Sequence, residues 1–512
     1  MSSKEKLRKH VRAVFQLRGY SLTRDALDYA LSVFGEVTEQ KRDLSIEKVH
    51  TALSKQPLPS GLIDLTTLQS AVAQCSNKKL HKSESLFTVI DLFSAPNFYY
   101  DGNSEKLVVS TKLAKSLGTG TDMINMQRAR LMLVIQRARR SKAFEKFRLS
   151  TIEVLQGTAE KQNDVLLLGL LHQESVESYN VEDLTGSIPI DLTAATFHAG
   201  LFTDGSILLF EGNYNNGIFT ASGVGLAPIE AAAATRAHFG DENFFGGDSP
   251  IAYPCSEKLQ LANARNPDAR IVILSDVLLD EPHVLKAISI LLQGFSKYPP
   301  IAFIFCGNFT KKVNTDDSYA LICAGFYHLS NILSSALDES PELSKAHFVF
   351  VPGPDDPSLN SILPRPPLPY SVFEIMNSIP NCSFASNPCR IQYTSQEIVI
   401  MRCDIIEKMC FNSIHMPSDT AEIAEHFCRT IASVGHLVPL PPHVSPVFWQ
   451  MDYCLRLYPL PDLVVIADQF ESFTVRQSDC LFTNPGSFAR SQLDFQVYYP
   501  SSRSVEASCI TL

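Results

Sequence analysis

Three apolar runs that each end in a polar turn decide the fold of this chain: RIVILSDV at residues 270–277, IAFIFCGN at residues 301–308 and FVFVPGPDDP at residues 348–357. Runs of about four to six β-branched and aromatic residues, separated by stretches long enough for a crossover helix, are typical of parallel strands buried on both faces. The loops that follow such strands usually carry the functional site of an α/β sheet. The sequence therefore predicts a parallel sheet here, with any site in these loops.

The loops resemble the metal-binding loops of calcineurin-like phosphoesterases, but with ligands replaced. That family carries Asp-x-His, Gly-Asp-x-x-Asp, Gly-Asn-His-Asp/Glu and Gly-His-x-His motifs, because two metals about 3.5–4 Å apart need carboxylates and imidazoles to activate a water. Asp276 remains in the first motif, but Leu278 stands at the histidine position. Asn308 follows Gly307 where the bridging aspartate belongs. The first two motifs therefore lack a histidine and the bridging ligand.

The third and fourth motifs are altered in the same way. The third has Pro354 and Asp355 where asparagine and histidine are expected. The apparent counterpart of the fourth is residues 467–470, in which Asp468 remains and Phe470 is apolar. The resemblance therefore implies vestigial positions rather than catalytic residues, and we expect no bound metal and no cofactor.

Six short stretches, in a fixed order along the chain, point to a second group of proteins with this sheet. They are GNF at 307–309, VPGPDDP at 351–357, ILPRPP at 362–367, NPCRIQY at 387–393, GHLVP at 435–439 and NPGSF at 484–488. On these motifs the chain resembles the B-subunits of replicative DNA polymerases, over nearly its whole length and most strongly after residue 160. The resemblance implies an OB-fold followed by an inactive phosphoesterase-like domain.

Length and composition indicate a multi-domain globular protein. At 512 residues the chain exceeds one core, so about two to four domains are expected. Its 45% hydrophobic and 19% charged residues are ordinary for a soluble protein. No run reaches about 18 apolar residues, and the opening MSSKEKLRKH has no apolar core of a signal peptide. We therefore expect no membrane segment and no secretion, and the family resemblance implies the nucleus.

The twelve cysteines are interpreted as reduced and mostly buried thiols. None occurs as Cys-x-x-Cys, and several lie inside apolar runs, for example Cys306, Cys323 and Cys454. A free cysteine behaves as a small hydrophobic residue. This spacing therefore gives no support to a zinc site or a set of disulfides.

Charge is distributed unevenly between the two parts of the chain. Residues 1–150 contain 25 Lys and Arg against 14 Asp and Glu, a balance of +11, and the remainder has 19 against 40, a balance of −21. A protein that grips nucleic acid through phosphates presents a basic surface. The acidic body argues against that role, so any direct DNA contact is expected within the first 150 residues.

The first 93 residues are predicted to form a helical module. Apolar residues recur at helical spacing in five segments, the last of them at residues 83–93. One interpretation is a small helical bundle with no site of its own. The family resemblance implies the alternative, a docking module tethered to the rest of the chain.

Residues 94–149 are predicted to be a flexible linker followed by a basic helix at residues 126–147. The helix is interpreted as a solvated charged face over a partly buried apolar stripe. Contact with nucleic-acid phosphates is the alternative, but no aromatic residues interleave with its basic residues to stack bases. Those basic residues are Arg128, Arg130, Arg137, Arg139, Arg140 and Lys142.

Residues 150–228 are predicted to form an OB-fold of five strands. Turn signals separate the strands, and Asn215-Asn216-Gly217 is a hairpin turn of the kind that needs positive φ. OB-folds that hold single strands use surface aromatic residues and a basic groove. No Lys or Arg lies between Gln162 and Arg236, so we interpret this barrel as a protein-binding OB-fold.

Residues 229–269 are predicted to connect the barrel to an inactive phosphoesterase-like domain at residues 270–512. Its strands and helices fit the four-layered α/β sandwich of metallophosphoesterases, as the family resemblance implies. His436, in a proline-rich context, is interpreted as a hydrogen-bonding residue of a turn, with a metal ligand or base as the alternative.

Three functions compete at this point. The first is a non-catalytic scaffold formed jointly by the OB-fold and the inactive phosphoesterase-like domain. The second is an active phosphoesterase or nuclease with unconventional ligands, drawn from Asp276, Asp355, Asp356 and Asp468, which could hold one Mg²⁺ loosely but lack histidine and a bridging aspartate. The third, a free single-strand-binding protein, is excluded by the acidic body.

The resemblance also implies partners. The expected ones are the catalytic subunit of the polymerase, through its carboxyl-terminal zinc-binding module, and the GINS part of the replicative helicase, through the helical module. Contact with the small histone-fold subunits of the complex is expected to be indirect, and contact with DNA weak or indirect. No partner-binding residues are predicted, because interface hot spots depend on how residues are arranged at the surface.

Overall fold

The computed structural model describes residues 3–35, 42, 45–47, 49, 50, 53, 61–75, 86–144, 149–158, 160–175, 178–311, 317–357, 362–419 and 422–512. Several of the predicted elements cross the boundaries of these ranges. The predicted helix that opens at Ser45 is one of them, since only some of its residues are described. The first residue of the predicted fifth helix, Ser83, lies outside the described residues.

The first part of the chain is a helical module with its own core. Its elements are α1 (Ser3–Leu17), β1 (Ser21–Leu22), α2 (Arg24–Gly35), β2 (Leu62–Ile63) and α3 (Leu65–Cys75). Val11, Phe15, Leu27, Phe34 and Leu68 are almost completely buried in one cluster, whose members all lie within this part of the chain. The 3.6-residue spacing of the apolar side chains places one face of each helix inside. The predicted helices around these residues are confirmed.

The predicted fifth helix at residues 83–93 is wrong. Residues Phe87–Ile90 form strand β3, which pairs antiparallel with a strand at Cys389–Tyr393, so that Val89 lies opposite Ile391. Phe87 and Ile90 are buried on a sheet of the second half of the chain. A partner about 300 residues away overrides the helical spacing, which short apolar runs do not distinguish from a strand. This stretch therefore belongs to the main body and not to the helical module.

The region predicted as a linker contains a hairpin and then a long helix. Strands β4 (Phe98–Asp101) and β5 (Lys106–Val109) pair antiparallel, and α4 spans Gly120–Arg140. Helix α4 begins six residues before the predicted start, because Thr119 and Asp122 form a capping box. The basic helix is thus confirmed, with its bounds moved toward the amino terminus.

The interpretation of α4 as a solvated basic face is wrong for two of its arginines. Arg130 is 7% exposed and donates to Asp452 Oδ1 from Nε at 3.0 Å and from Nη2 at 2.5 Å. Arg137 is 3% exposed and donates to the backbone carbonyls of Leu133, at 3.2 Å, and Ser433. These arginines attach the helix to the main body, because a buried guanidinium needs acceptors for its donors.

An OB-fold follows α4, as predicted. Its elements are β6 (Leu149–Ser150), α5 (Ile152–Gln156), β7 (Gln162–Gln173), β8 (Tyr179–Glu182), β9 (Ser187–Asp191), β10 (Thr196–Phe197), β11 (Phe202–Thr203), β12 (Ile207–Asn215) and β13 (Ile218–Gly225). Strands β7, β8, β9, β13 and β12 pair in a closed ring of five. Leu167, Phe210 and Phe219 fill the barrel. Asn216 and Gly217 have φ of 49° and 86°, as the predicted hairpin turn requires.

The main body is a sandwich of two six-stranded sheets. Its helices are α6 (Ala232–Phe239), α7 (Glu257–Ala264), α8 (Pro282–Gly294), α9 (Ser318–Glu339), α10 (Tyr370–Ile375), α11 (Ile406–Phe411) and α12 (Ile423–Val434). Its strands are β14 (Ile271–Leu274), β15 (Ala302–Cys306), β16 (His347–Val351), β17 (Cys382–Phe384), β18 (Cys389–Tyr393), β19 (Gln396–Arg402), β20 (Ser413–His415), β21 (Leu463–Ala467), β22 (Phe473–Gln477), β23 (Cys480–Asn484), β24 (Asp494–Tyr499) and β25 (Ser504–Cys509).

The two sheets pack face to face between layers of helices. Their orders are β17-β16-β15-β14-β24-β25 and β22-β23-β21-β19-β18-β3, and strands β14, β15 and β16 are parallel as predicted. Ile273 and Ile304 of the first sheet share one buried cluster with Ile391 and Val465 of the second. Helices α8 and α9 cover the outer face of the first sheet, and α12 covers the second. The predicted four-layered sandwich is confirmed.

Helix α9 stands out for its composition. Among the described residues it is the one helix long and apolar enough to cross a membrane by length and hydropathy. It packs against α8 and α10, and Phe326 and Leu329 are completely buried in the core beneath the first sheet. Burial against the first sheet accounts for the apolar residues of this inner face, which make up 33% of the apolar window of the helix.

The barrel and the sandwich are joined by backbone as well as side-chain contacts. Strand β11 pairs with β20 of the sandwich. The Leu201 amide donates to Thr430 Oγ1 at 2.9 Å, and the Ser433 hydroxyl donates to the Ala227 carbonyl at 2.6 Å. Both hydroxyls belong to α12. Together with α4, these contacts make the barrel and sandwich one packed unit.

The burial of Arg130 predicts that α4 stabilises the main body. We expect Arg130→Ala to lower the free energy of unfolding by about 3–5 kcal/mol, because it leaves the buried Asp452 carboxylate with weaker compensation. Arg128→Ala, on the exposed side of the same helix, should change it by less than about 0.5 kcal/mol. Urea unfolding followed by the fluorescence of Trp449 measures both variants. Equal effects of the two substitutions would contradict the role of Arg130.

Candidate functional site

The loops that follow β14, β15 and β16 meet at one edge of the first sheet, as parallel strands require. Asn308 and Asp355 hold each other: the Asn308 side-chain amide donates to Asp355 Oδ2 at 2.9 Å, and the Asp355 backbone amide donates to Asn308 Oδ1 at 3.0 Å. The Asn308 backbone amide lies 3.3 Å from Asp276 Oδ1. Three of the sequence-predicted vestigial positions are therefore brought together.

The guanidinium of Arg402 contacts this group of loop residues. Its Nη2 donates to Asp276 Oδ1 at 2.6 Å, and its Nε donates to the Gly307 carbonyl at 2.5 Å. Its Nη1 donates to Asp404 Oδ1 at 2.7 Å and to the Ala467 carbonyl at 3.2 Å. One buried cation thus contacts loops from both sheets.

The charges at Arg402 compensate each other. Burial alone would lower the pKa of Arg402, but the Asp276 and Asp404 carboxylates raise it above its ordinary value. The second oxygen of Asp276 accepts a hydrogen bond from the Ser487 hydroxyl at 2.8 Å. Both Asp276 oxygens are therefore engaged, and Asp276 itself has a φ of 54°, a left-handed conformation that is unusual for a non-glycine residue.

Asp356, one of the four carboxylates considered for the alternative metal site, stabilises the third loop through its buried carboxylate. Its carboxylate accepts the backbone amides of Phe309 and Gly353, each at 2.7 Å. Burial raises the pKa of Asp356 to about 6, although these two hydrogen bonds and the nearby Arg365 act in the opposite direction. Arg365 donates to the Gly353 carbonyl and, at 2.7 Å, to the Asp356 carbonyl. Asp356 is thus a structural residue of the loop.

The retained glycines of the second and third motifs have a packing reason. A Cβ at Gly307 would lie 2.0 Å from Asp356 Oδ2, and one at Gly353 would lie 2.3 Å from Asn308 Oδ1. No side chain fits in either gap, because real Cβ contacts are longer than about 3 Å. Loop packing alone therefore requires both glycines.

Asp468 lies at the end of β21 in the second sheet, and its carboxylate is satisfied by backbone. Oδ2 accepts the amides of Ile405 and Ile406 at 2.7 and 3.0 Å, and Oδ1 accepts the amide of Phe470 at 2.9 Å. Burial raises the pKa of Asp468. The Phe470 side chain packs against the core of the second sheet. The Asp468 carboxylate therefore holds the backbone of the fourth loop in place by accepting these hydrogen bonds.

The donor set does not suit a pair of metals. No group of three or more His, Cys, Asp or Glu residues that could hold a metal ion occurs in the part of the chain that the structure describes. Leu278 is buried at the first histidine position, and Pro354 is half-buried in the third loop. The one cation that reaches the Asp276 carboxylate, among the described residues, is Arg402.

Sequence reasoning missed Arg402, Arg365, Asp404 and Ser487. Arg402 ends the apolar run of β19, and a charged residue that closes a strand buried on both faces is the signal that could have identified it.

His436 makes the hydrogen bonds predicted for it: its Nδ1 accepts the Val438 amide at 3.1 Å, and its Nε2 lies 3.1 Å from Asp452. Burial, followed by the nearby Arg130, lowers the pKa of His436.

A closed OB barrel joined to a phosphoesterase-like sandwich is the architecture of the class of DNA polymerase B-subunits. The family described as the B-subunits of DNA polymerases alpha and epsilon matches residues 271–475. The OB-fold domain of DNA polymerase epsilon subunit 2-like proteins matches residues 121–228, and the family described as DNA polymerases epsilon N terminal matches residues 3–75. The matches agree with the resemblance drawn from the six motifs.

The chain belongs to the DNA polymerase epsilon subunit 2 family. It is 40% identical to DNA polymerase epsilon subunit 2 of Mus musculus and 39% identical to that of Homo sapiens, in each case over 98% of both chains. The chain also resembles the solved structure of a novel archaeal phosphodiesterase, at 13% sequence identity and a TM-score of 0.25, over 47% of this chain and 99% of that one.

The contacts of Arg402 predict that it carries much of the stability of the sandwich. We expect Arg402→Ala to lower the free energy of unfolding by about 3–5 kcal/mol, because the buried Asp276 carboxylate loses its cation. Arg429→Ala, which removes an exposed pair with Glu425, should cost less than about 1 kcal/mol. Thermal and urea unfolding compare the two variants. An Arg402→Ala protein as stable as the Arg429→Ala control would refute this assignment.

Proposed function

We propose that the protein is a non-catalytic accessory subunit that scaffolds DNA polymerase epsilon in the nucleus during chromosomal replication. The observation that carries this proposal is the Arg402 guanidinium, which already neutralises Asp276 where a catalytic cation would be needed. Because Asp468 and Asp356 are satisfied by backbone amides, neither is available as a ligand without opening its loop. A sandwich fold whose described residues lack a set of metal ligands favours a function in binding other proteins through its surface.

The proposed scaffold acts through the barrel and sandwich together. The pairing of β11 with β20 and the hydrogen bonds to α12 support a single broad surface rather than two independent ones. On this surface the protein holds the catalytic subunit of DNA polymerase epsilon, through that subunit's carboxyl-terminal zinc-binding module. The barrel stretch without Lys or Arg fits a protein partner better than a nucleic-acid strand.

The helical module is proposed to couple the polymerase to the replicative helicase through GINS. Among the described residues, the members of its buried cluster all belong to the module, which supports independent folding. A tethered module holds one partner at high effective concentration while the body holds another, without a rigid geometry. Contact with the small histone-fold subunits and with DNA is proposed to be indirect.

An active phosphoesterase is the alternative function. The approach of Asp276, Asn308 and Asp355 to one another is the observation in its favour. It would require a metal to displace Arg402 and to leave that guanidinium buried without its carboxylate, which costs several kcal/mol. The scaffold is therefore the function that the site supports better.

The first test separates these two functions. The purified protein is expected to bind no stoichiometric Mn, Fe or Zn and to hydrolyse neither a phosphodiester nor DNA. Elemental analysis and a hydrolysis assay with added Mn²⁺ measure both properties. About two metal ions per chain, together with activity that Asp276→Ala abolishes, would establish the alternative instead.

The second test concerns the division of the chain. Because β3 belongs to the sandwich, the helical module is proposed to end before residue 86 and the body to begin there. A fragment of residues 1–85 is expected to fold cooperatively and bind helicase components, and residues 86–512 should still co-purify with the catalytic subunit. Circular dichroism and pull-down measure these outcomes. An unfolded 1–85 fragment, or loss of the catalytic subunit from 86–512, would contradict the tethered arrangement.

A further inference from the structure

An unusual concentration of exposed apolar side chains lies between the hairpin β4–β5 and the middle of α4. Leu113 is 93% exposed and Leu117 is 86% exposed. Val109, Met123 and Ile124, also exposed, flank them along the chain. Single exposed apolar residues are ordinary on a protein surface, whereas several within one short stretch of chain favour an interaction site.

Residues 111–118, which we name the leucine segment, are fixed to the main body. Gln450 contacts the middle of the segment and the first turn of α4: its Oε1 accepts the Lys115 amide at 2.8 Å, and its Nε2 donates to Asp122 Oδ2 at 3.1 Å. Ala114, which precedes Lys115, packs against the cluster that contains Tyr453. The leucines therefore point outward from an anchored backbone.

The end of the leucine segment also lies against the main body. A Cβ at Gly118 would lie 3.0 Å from the ring of Trp449, so the backbone packs directly on that side chain. An anchored segment loses less conformational entropy on binding than a free linker does. Two exposed leucines on an anchored backbone are therefore suited to binding a partner protein.

The charge of the segment indicates what it binds. Lys112 and Lys115 flank Leu113 and are exposed, and no acidic residue lies between Glu105 and Asp122. The Asp122 carboxylate accepts the Thr119 amide at 2.7 Å as part of the helix cap. A complementary partner surface offers an aliphatic groove for the leucines and carboxylates on its rim for the lysines.

We infer that the leucine segment docks into such an acidic-rimmed aliphatic groove on the catalytic subunit. The inference rests on the proposed function, in which the barrel and the sandwich bind the catalytic subunit. Gln450 and Trp449 fix the segment to the sandwich and not to the helical module, so it moves with the body that holds that subunit. Two leucines and two lysines in a non-helical segment lack the long amphipathic face that a membrane surface requires.

The first experiment maps the contact in the complete complex. A photo-crosslinking amino acid is placed at Leu113, at Leu117 and, as controls, at the exposed Leu261 and Tyr298. After co-purification with the catalytic subunit, we expect cross-links to that subunit from positions 113 and 117 and not from the controls. Cross-links from all four positions alike, from neither leucine, or to another subunit would overturn the inference.

The second experiment measures the energetic contribution. The double variant Leu113→Asp/Leu117→Asp should weaken binding of the catalytic subunit about 100-fold, since burial of two leucines and attraction to the acidic rim are both lost. The double variant Leu261→Asp/Tyr298→Asp is the matched control and should bind as the wild type does. Equal affinities of the two double variants would overturn the inference, provided that their unfolding midpoints agree with the wild type. If they disagree, the cross-linking result decides.

These outcomes are distinguishable from failure of the proposed function. A wild-type chain that does not co-purify with the catalytic subunit refutes the proposed function itself. Co-purification without cross-links at the leucines refutes only the docking inference. Binding of the wild type, but not of the Leu113→Asp/Leu117→Asp variant, to vesicles of phosphatidylcholine and phosphatidylserine would assign the segment to a lipid surface and would also overturn it.

Discussion

The interaction on which the sandwich depends is the buried ion pair between Arg402 and Asp276. Transfer of either charge from water into the interior is unfavourable unless the other charge and further hydrogen bonds compensate for it. Arg402 reaches the Gly307 and Ala467 carbonyls as well as two carboxylates, so its donors are satisfied from both sheets. A pair with these neighbours contributes to specifying how the two sheets meet.

The same physical solution recurs away from the former site. Arg390, Arg456 and Arg137 are buried and donate to backbone carbonyls of distant segments, for example Arg390 to the Phe245 carbonyl at 2.8 Å. Arg130 and Asp452 form a second buried ion pair, and the neighbouring Arg130 and His436 lower the pKa of Asp452 in spite of its burial. Long loops leave carbonyls without secondary-structure partners, and a guanidinium with its several donors can satisfy more than one of them.

The sequence predicts those parts of the fold that local patterns determine. β14, β15 and β16 are apolar on both faces, and the barrel strands alternate apolar and polar residues between turn signals. These local patterns predict both groups of strands without knowledge of the strands they pair with. β3 was mistaken for a helix because its identity depends on β18, far along the chain. Likewise, the departure from the phosphoesterase motif is visible in single positions such as Leu278, whereas the contact between Arg402 and Asp276 becomes visible only when the two sheets bring them together.

Burial of arginines also changes what the sequence charge implies about DNA. The balance of −21 after residue 150 counts every Lys and Arg as if it were on the surface. Four arginines are buried in the body, but so are six carboxylates, and the accessible surface there therefore stays acidic. The arginines are Arg365, Arg390, Arg402 and Arg456, and the carboxylates are those of Asp276, Asp356, Glu397, Asp452, Asp462 and Asp468. Helix α4 loses Arg130 and Arg137 to the interior in the same way. A phosphate backbone is attracted by accessible cations, and the helix that carried the best case for DNA contact therefore offers fewer of them than its sequence does.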